Sequence, residues 1–185
     1  MKLDIRYLAG LMDGEGCIAI RLRKDMPKNP RNSYMLVVQI SMTHEGVISA
    51  IKKSAGGAMS EIKWHRRMSN RPAYQWRLYS NAAAEFLEKC LPYLIVKKDE
   101  ALLGISFQKH MNEYLNKTRS LTQERQEEVW AYRESVYWTM RNLKKVSGAL
   151  DGMDANSENT PCPVSDDAEG QPRAKQTVLK AVGRV

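Results

Sequence analysis

Two phenylalanines, three histidines and three cysteines in 185 residues leave little material for several common designs. The cysteines (Cys17, Cys90, Cys162) are odd in number and far apart. That argues against a disulfide framework and favours a reducing, intracellular compartment. Neither they nor His44, His65 and His110 stand at zinc-ligand spacing, which excludes a zinc finger or a zinc hydrolase. No apolar run approaches the roughly 20 residues that a membrane helix needs. Met1-Lys2-Leu3-Asp4 opens no signal peptide, so no membrane partner is expected. Apolar content as a whole is not lacking. At 43% it is close to the globular average, enough for a real core and too much for wholesale disorder.

Acidic charge is also in short supply: 21 Asp and Glu against 29 Lys and Arg give a net charge of +8. The imbalance is local. From Gly148 onward six acids (Asp151, Asp154, Glu158, Asp166, Asp167, Glu169) outnumber four bases (Arg173, Lys175, Lys180, Arg184), so the preceding residues carry +10. The same stretch has no aromatic residue and three of the seven prolines. It offers too little apolar surface to offset its ordering entropy and reads as a solvated tail, residues 148–185. Residues 1–147 are then a single basic domain whose expected partners are polyanions.

The basic residues fall into a pattern. In 17–23, Ile18, Ile20 and Leu22 alternate with Ala19, Arg21 and Arg23; in 34–41, Tyr34, Leu36, Val38 and Ile40 alternate with Met35, Val37, Gln39 and Ser41. The intervening polar stretch from Asp25 to Asn32 makes these a long-looped hairpin. A second hairpin is expected at about 60–67 and 73–79, around Met68-Ser69-Asn70-Arg71-Pro72. There Ile62 and Trp64 alternate with Lys63, His65 and Arg67, and Tyr74, Trp76 and Leu78 with Gln75 and Arg77. A solvated sheet face normally mixes both signs. Here it is almost wholly cationic or amide-bearing, the chemistry that reads phosphates and base edges in a DNA major groove.

Helical spacing marks 3–13, 45–54, 81–90, about 98–115 and about 122–146. The coarse order is α-β-β-α-β-β-α followed by two helices, with two α-β-β units related in architecture. The economical solution is an α+β fold: a four-stranded antiparallel sheet with helices on one face. The aromatic set Trp130, Tyr132, Tyr137 and Trp138 reads as helix packing rather than a base-stacking platform.

The most informative stretch is Leu8-Ala9-Gly10-Leu11-Met12-Asp13-Gly14-Glu15-Gly16. Ala9 and Gly10 leave one helix face nearly bare, so that another backbone can approach closely. Asp13-Gly14-Glu15-Gly16 reads as a helix stop that sets a carboxylate beside the polar face of the sheet.

This nonamer resembles the signature of the LAGLIDADG homing endonucleases at nearly every position, with a fainter echo at Pro92-Tyr93-Leu94-Ile95-Val96-Lys97-Lys98. The α-β-β-α-β-β-α order is that family's core fold. The resemblance implies a site-specific double-strand DNA endonuclease, hydrolysing phosphodiesters with Mg²⁺ and leaving short 3′ overhangs. One copy of the motif is the mark of the homodimeric members. It further implies Glu15 as the metal-binding acid, assisted by the Gly14 carbonyl, with Asp13 structural. Lys97, with Lys98 as its alternative, would be the basic residue near the cleaved phosphate. His44 would stand where a polar residue positions solvent, or else cap a helix. Leu8, Ala9, Gly10 and Met12 would pack at the two-fold axis. Arg21, Arg23, Gln39, Ser41, Lys63, His65, Arg67, Gln75, Arg77 and Lys98 would line the DNA. Two other readings use the same scaffold: an intron maturase that binds intron RNA, and a non-catalytic DNA-binding regulator, against which the retained Glu15 counts.

Overall fold

A computed structural model describes residues 2–23, 33–62, 72–114, 117 and 120–150, with side chains as far as Lys144 except that of Arg23. The expected loop at 25–32, the centre of the second hairpin and the stretch from 151 lie outside the described residues.

The first helix, α1 (Ile5–Glu15), begins where the Asp4 carboxylate accepts from the Arg6 N–H at 2.8 Å. Its Leu8, Ala9 and Met12 are buried. The helix runs through Asp13-Gly14-Glu15 rather than stopping there, and ends at Gly16, whose N–H donates to the Met12 carbonyl. A Cβ on Gly16 would stand 2.5 Å from Met12 Cε and 2.6 Å from the Met12 carbonyl oxygen. The chain can therefore turn from helix to strand at this spot only without a side chain.

From Gly16 the order is β1 (Gly16–Arg23), β2 (Ser33–Met42), α2 (Glu45–Ala55), β3 (Ala58–Ile62), β4 (Ala73–Tyr79) and α3 (Ser80–Cys90). A short 3₁₀ turn (Leu91–Tyr93) leads to α4 (Lys98–Glu113) and α5 (Gln123–Leu150). The expected order of elements is present. α5 passes Gly148, where composition alone placed the start of the tail. No helix among the described residues is long and apolar enough to cross a membrane.

All strand pairs are antiparallel, in the order β1-β2-β4-β3. Opposed pairs such as Ile18–Val38, Ile20–Leu36 and Ile40–Trp76 put the apolar set on one face, where the helices bury it. Trp76 anchors that face. It is fully buried, its ring meets Phe86 edge-on at 5.1 Å, and its Nε1 donates to the Gly56 carbonyl at 2.6 Å. Gly57 (φ +86°) lets the backbone turn there, since a Cβ would meet the Arg77 carbonyl at 2.6 Å.

This anchor corrects one expectation. The second hairpin was expected to point Ile62 at the core, in a strand beginning near residue 60. Because Trp76 pairs with Met59, β3 begins at Ala58 and Ile62 falls opposite Ala73, on the face that carries Gln75 and Arg77. The alternation around Trp64 suggested the other parity, but a buried indole tied to a backbone carbonyl outweighs it.

On the far side, α5 packs along α4. His110 stacks against Tyr114 (4.8 Å) and Tyr132 (4.1 Å), Arg133 lies over Trp130 (4.9 Å), and Tyr137 meets Tyr34 of the sheet (5.6 Å). The aromatic set thus serves helix packing, with Trp138 half exposed.

Two outcomes follow. Gly16→Ala should cost about 1–3 kcal/mol through overpacking at the helix–strand junction, read as a lower urea midpoint at unchanged m-value. Burial, and then the Arg133 charge, hold His110 below the usual histidine range. The unfolded chain therefore takes the proton first as pH falls past about 6.5. The stability due to a neutral ring is present above that pH and is lost as pH falls through the lower folded value. Melting temperature should drop between about pH 7 and 5, and His110→Phe should flatten that drop.

Candidate functional site

The outer face of the sheet is built by the strand register. Gln39 lies opposite Cys17 on one side and Arg77 on the other, and Ser41 opposite Gln75. Arg21 Nη2 donates to Gln39 Oε1 at 2.7 Å, and Gln75 Nε2 donates to Ser41 Oγ at 2.8 Å. Gln39 and Gln75, expected to reach DNA, are instead buried at 4% and 2% exposure. They sit on the two central strands, Gln39 Oε1 held by Arg21 and Gln75 Nε2 by Ser41, while Gln75 Oε1 is buried without a partner, and neither side chain projects from the face. Burial, followed by the like charge of Arg77, lowers the pKa of Arg21. Arg77 Nε is buried with no hydrogen-bond partner. No carboxylate shares this face among the described residues, since Glu61 pairs with Tyr74 on the opposite parity. Two close guanidinium groups without a counter-charge favour an anion from outside. Lys63, His65 and Arg67 lie outside the described residues, as does the Arg23 side chain.

A second set of groups gathers at the end of α1. The Asp13 carboxylate accepts two backbone N–H groups, from Ile95 at 2.8 Å and Lys97 at 3.0 Å. The Lys97 ammonium returns to donate to the Asp13 carbonyl. Asp13 is thus a clasp between the motif helix and the segment that leads into α4. Lys97 is the N-cap residue of α4, whereas Lys98 is exposed in its first turn. Glu15, the last residue of α1, is exposed and makes no hydrogen bond or ion pair among the described residues. Gly14 beside it is open, with nothing within 4 Å of where a Cβ would stand. The free carboxylate and the carbonyl end of the helix dipole together form a small electronegative spot. The Lys97 ammonium is held at the Asp13 carbonyl, two residues before Glu15.

His44 does not join this cluster. Its Nδ1 accepts from Val47 N–H at 3.3 Å, capping α2, and its ring lines an apolar groove with Leu3, Tyr7, Val47 and Ala50. The capping alternative is the one realised, and the ring lies with Leu3 and Tyr7 near the start of α1, whereas Glu15 stands at its end.

The expected interface residues also sort differently. Leu8, Ala9 and Met12 are buried within the chain itself and do not lie on the open face of the motif helix. Helical periodicity gives that face to Tyr7, Gly10 and Gly14, all exposed. Beside the clasp, Ile95 and Val96 stand 85% and 66% exposed.

Two charged residues near the clasp were missed by the sequence reading. Glu100, in the first turn of α4, is buried, and its Oε2 has no partner. Burial raises its pKa, while Lys144 and then Lys97 pull it back. Lys144, near the end of α5, is half-buried with Nζ 3.0 Å from Cys17 Sγ. In the sequence both look like ordinary dipole-complementing charges at helix ends. Only tertiary packing brings them here.

A family model described as LAGLIDADG endonuclease matches residues 8–98. Among solved structures, the homing endonuclease I-TnaI is similar at TM-score 0.53 and 17% identity, over 81% of this chain and 99% of its own. I-CvuI has been solved on DNA targets, with Mg and the DNA not cleaved, and with Ca; TM-scores are 0.52 and 0.53 at 18% and 19% identity, over 83% of this chain and 85% of its own. I-GzeII in complex with its DNA target gives 0.59 at 19% identity, over 88% of this chain and 55% of its own. At these identities the likeness is one of fold. A search of the curated proteins finds no match.

The clasp makes a prediction of its own. Asp13→Asn keeps one acceptor and turns an NH₂ donor towards a backbone N–H, so it should destabilise the fold by about 1–3 kcal/mol. Hydrogen exchange should show faster opening at Ile95 and Lys97 than in the wild type.

Proposed function

Since the chain belongs to the LAGLIDADG endonuclease family through a match that spans the motif helix, both hairpins and the lysine segment, we propose that it is a site-specific double-strand DNA endonuclease. It acts as a homodimer with Mg²⁺. One observation carries the reading: an exposed acid without a partner among the described residues, Glu15, ends α1 two residues after the carbonyl that holds the Lys97 ammonium, and the sheet that follows brings Arg21 of β1 near Arg77 of β4 on an outer face with no carboxylate among the described residues. Acid and base stand at the margin of a surface suited to the phosphate backbone.

The need for a second copy follows from arithmetic of ligands. No group of three or more His, Cys, Asp or Glu side chains that could hold a metal occurs among the described residues. Glu15 and the Gly14 carbonyl fit a hard cation as half of a site, and two-fold symmetry would supply the other half. The exposed strip of Tyr7, Gly10 and Gly14, flanked by Ile95 and Val96, is an apolar surface able to cover itself. The match to nearly the whole of I-TnaI, but to just over half of I-GzeII, also suits a chain holding one unit.

Bound Mg²⁺ would polarise a phosphodiester oxygen and make water a better nucleophile. The chain's own residues do the rest. Glu15 supplies negative charge where the two protomers meet. Lys97 places an ammonium to offset charge that develops on the phosphate, and Asp13 fixes its position through backbone and carbonyl contacts.

The test is cleavage of DNA in which the sequences flanking the coding region are joined without interruption. Wild type with Mg²⁺ should cut both strands, and Ca²⁺ should support binding with little cutting. Glu15→Gln should bind within about threefold of wild type and cut slower by orders of magnitude. Cutting by Glu15→Gln at the wild-type rate would overturn the assignment, and binding of intron RNA without cleavage would replace the reading. Gly10→Leu should shift sedimentation from dimer to monomer, because a large side chain then stands between the two motif helices.

A further inference from the structure

Two lysines touch the chain on either side of Glu15 in the sequence, each at a residue two positions away from it. Lys97 donates to the carbonyl of Asp13 on one side, and Lys144 Nζ lies 3.0 Å from Cys17 Sγ on the other. They come from different helices, the start of α4 and the end of α5. Between those helices lies the buried carboxylate of Glu100, one turn after Lys97, with one oxygen unpartnered. Glu100 makes no ion pair within 4.0 Å of either lysine among the described residues, so both ammonium groups keep donors free for another acceptor.

The geometry points to Lys144 as a second phosphate-binding lysine of each cleavage centre, beside Lys97 where α1 passes into β1. This inference rests on the endonuclease reading for the identity of the phosphate. The electrostatics agree with the placement. Lys144 is lowered by burial in the first place, is supported by Glu100, and feels the further positive charges of Lys97, Arg141 and Arg21. A half-buried lysine surrounded by three other cations and one acid is costly to hold. An incoming phosphodiester relieves that cost, since it supplies the missing negative charge in a site already partly dry. Glu100 offsets part of the positive charge when no DNA is bound and, with no ion pair to either lysine within 4.0 Å among the described residues, leaves their ammonium groups to the phosphate.

The experiment uses the full chain with Lys144→Met, Lys144→Gln and Lys144→Arg, and two readouts. The first is the dependence of duplex affinity on KCl in Ca²⁺ buffer. Loss of one phosphate contact per protomer should lower the slope of log K against log salt by about two per dimer for Met and Gln, with Arg close to wild type. The second is single-turnover cleavage in Mg²⁺ at saturating protein, expected to fall by about 100-fold for Met and Gln and to recover in large part with Arg. A merely structural lysine would change melting without changing the salt slope. If Met and Gln variants keep the wild-type slope, Lys144 does not touch phosphate and the inference is overturned. If wild-type protein cuts no DNA, the endonuclease reading fails, while the salt slope still decides whether Lys144 meets phosphate. Should the Met variant fail to fold, Gln preserves a polar end and decides the same question.

Discussion

The Asp13 carboxylate holds together parts of the chain more than eighty residues apart. Its two oxygens accept the N–H groups of Ile95 and Lys97, in the bend that leads into α4. Without that clasp the end of the motif helix and the start of α4 have no common reference. Lys97 would be an exposed lysine like Lys98, and the apolar side chains of Ile95 and Val96 would have no fixed relation to the strip on α1. A carboxylate satisfied by two backbone donors has little left to offer a metal. Glu15, two residues on, is exposed and has no partner among the described residues. Nearly adjacent acids are given opposite roles by what surrounds them.

A second constraint is electrostatic. The molecule concentrates positive charge and gives it few carboxylates: Arg21 beside Arg77 on the sheet, Lys97 with Lys144 at the end of α1. Each grouping is unfavourable by itself and each is held by rigid neighbours, the strand ladder in one case and two packed helices in the other. A protein organised only for stability would have neutralised them. Surfaces held in this state bind polyanions with little rearrangement, because the repulsion is already present before the partner arrives.

Much of this was legible in the residues. Strict alternation in 17–23 and 34–41 defined two strands and their faces to within a residue or two, since a one-residue slip would expose the whole apolar set. The nonamer and the later lysine segment stood out as the two marked stretches, and the structure joins them through Asp13 and Lys97. What escaped was whatever depended on contacts between distant elements. Ile62 took the other parity because Trp76 is tied to Gly56 on a different element. Leu8, Ala9 and Met12 look like interface residues in a string of small and apolar letters, but the sheet claims them first. Glu100 and Lys144 carry no local mark, and nothing in sequence spacing brings residues 44 apart to one pocket. The amides of Gln39 and Gln75 were placed on the correct face, while their burial depended on neighbours across three strands.

The Trp76 anchor bears on how such a protein can change its target. Its indole fixes the alignment of β3 and β4 from the core side, through one hydrogen bond to a turn between α2 and β3. The side chains on the opposite surface take no part in that alignment. Arg77, Ser60 and Ile62 can therefore be exchanged for others without shifting the strands beneath them. Alignment and outer-face chemistry are set by different residues, so the outer face can change its side chains while the strands keep their register.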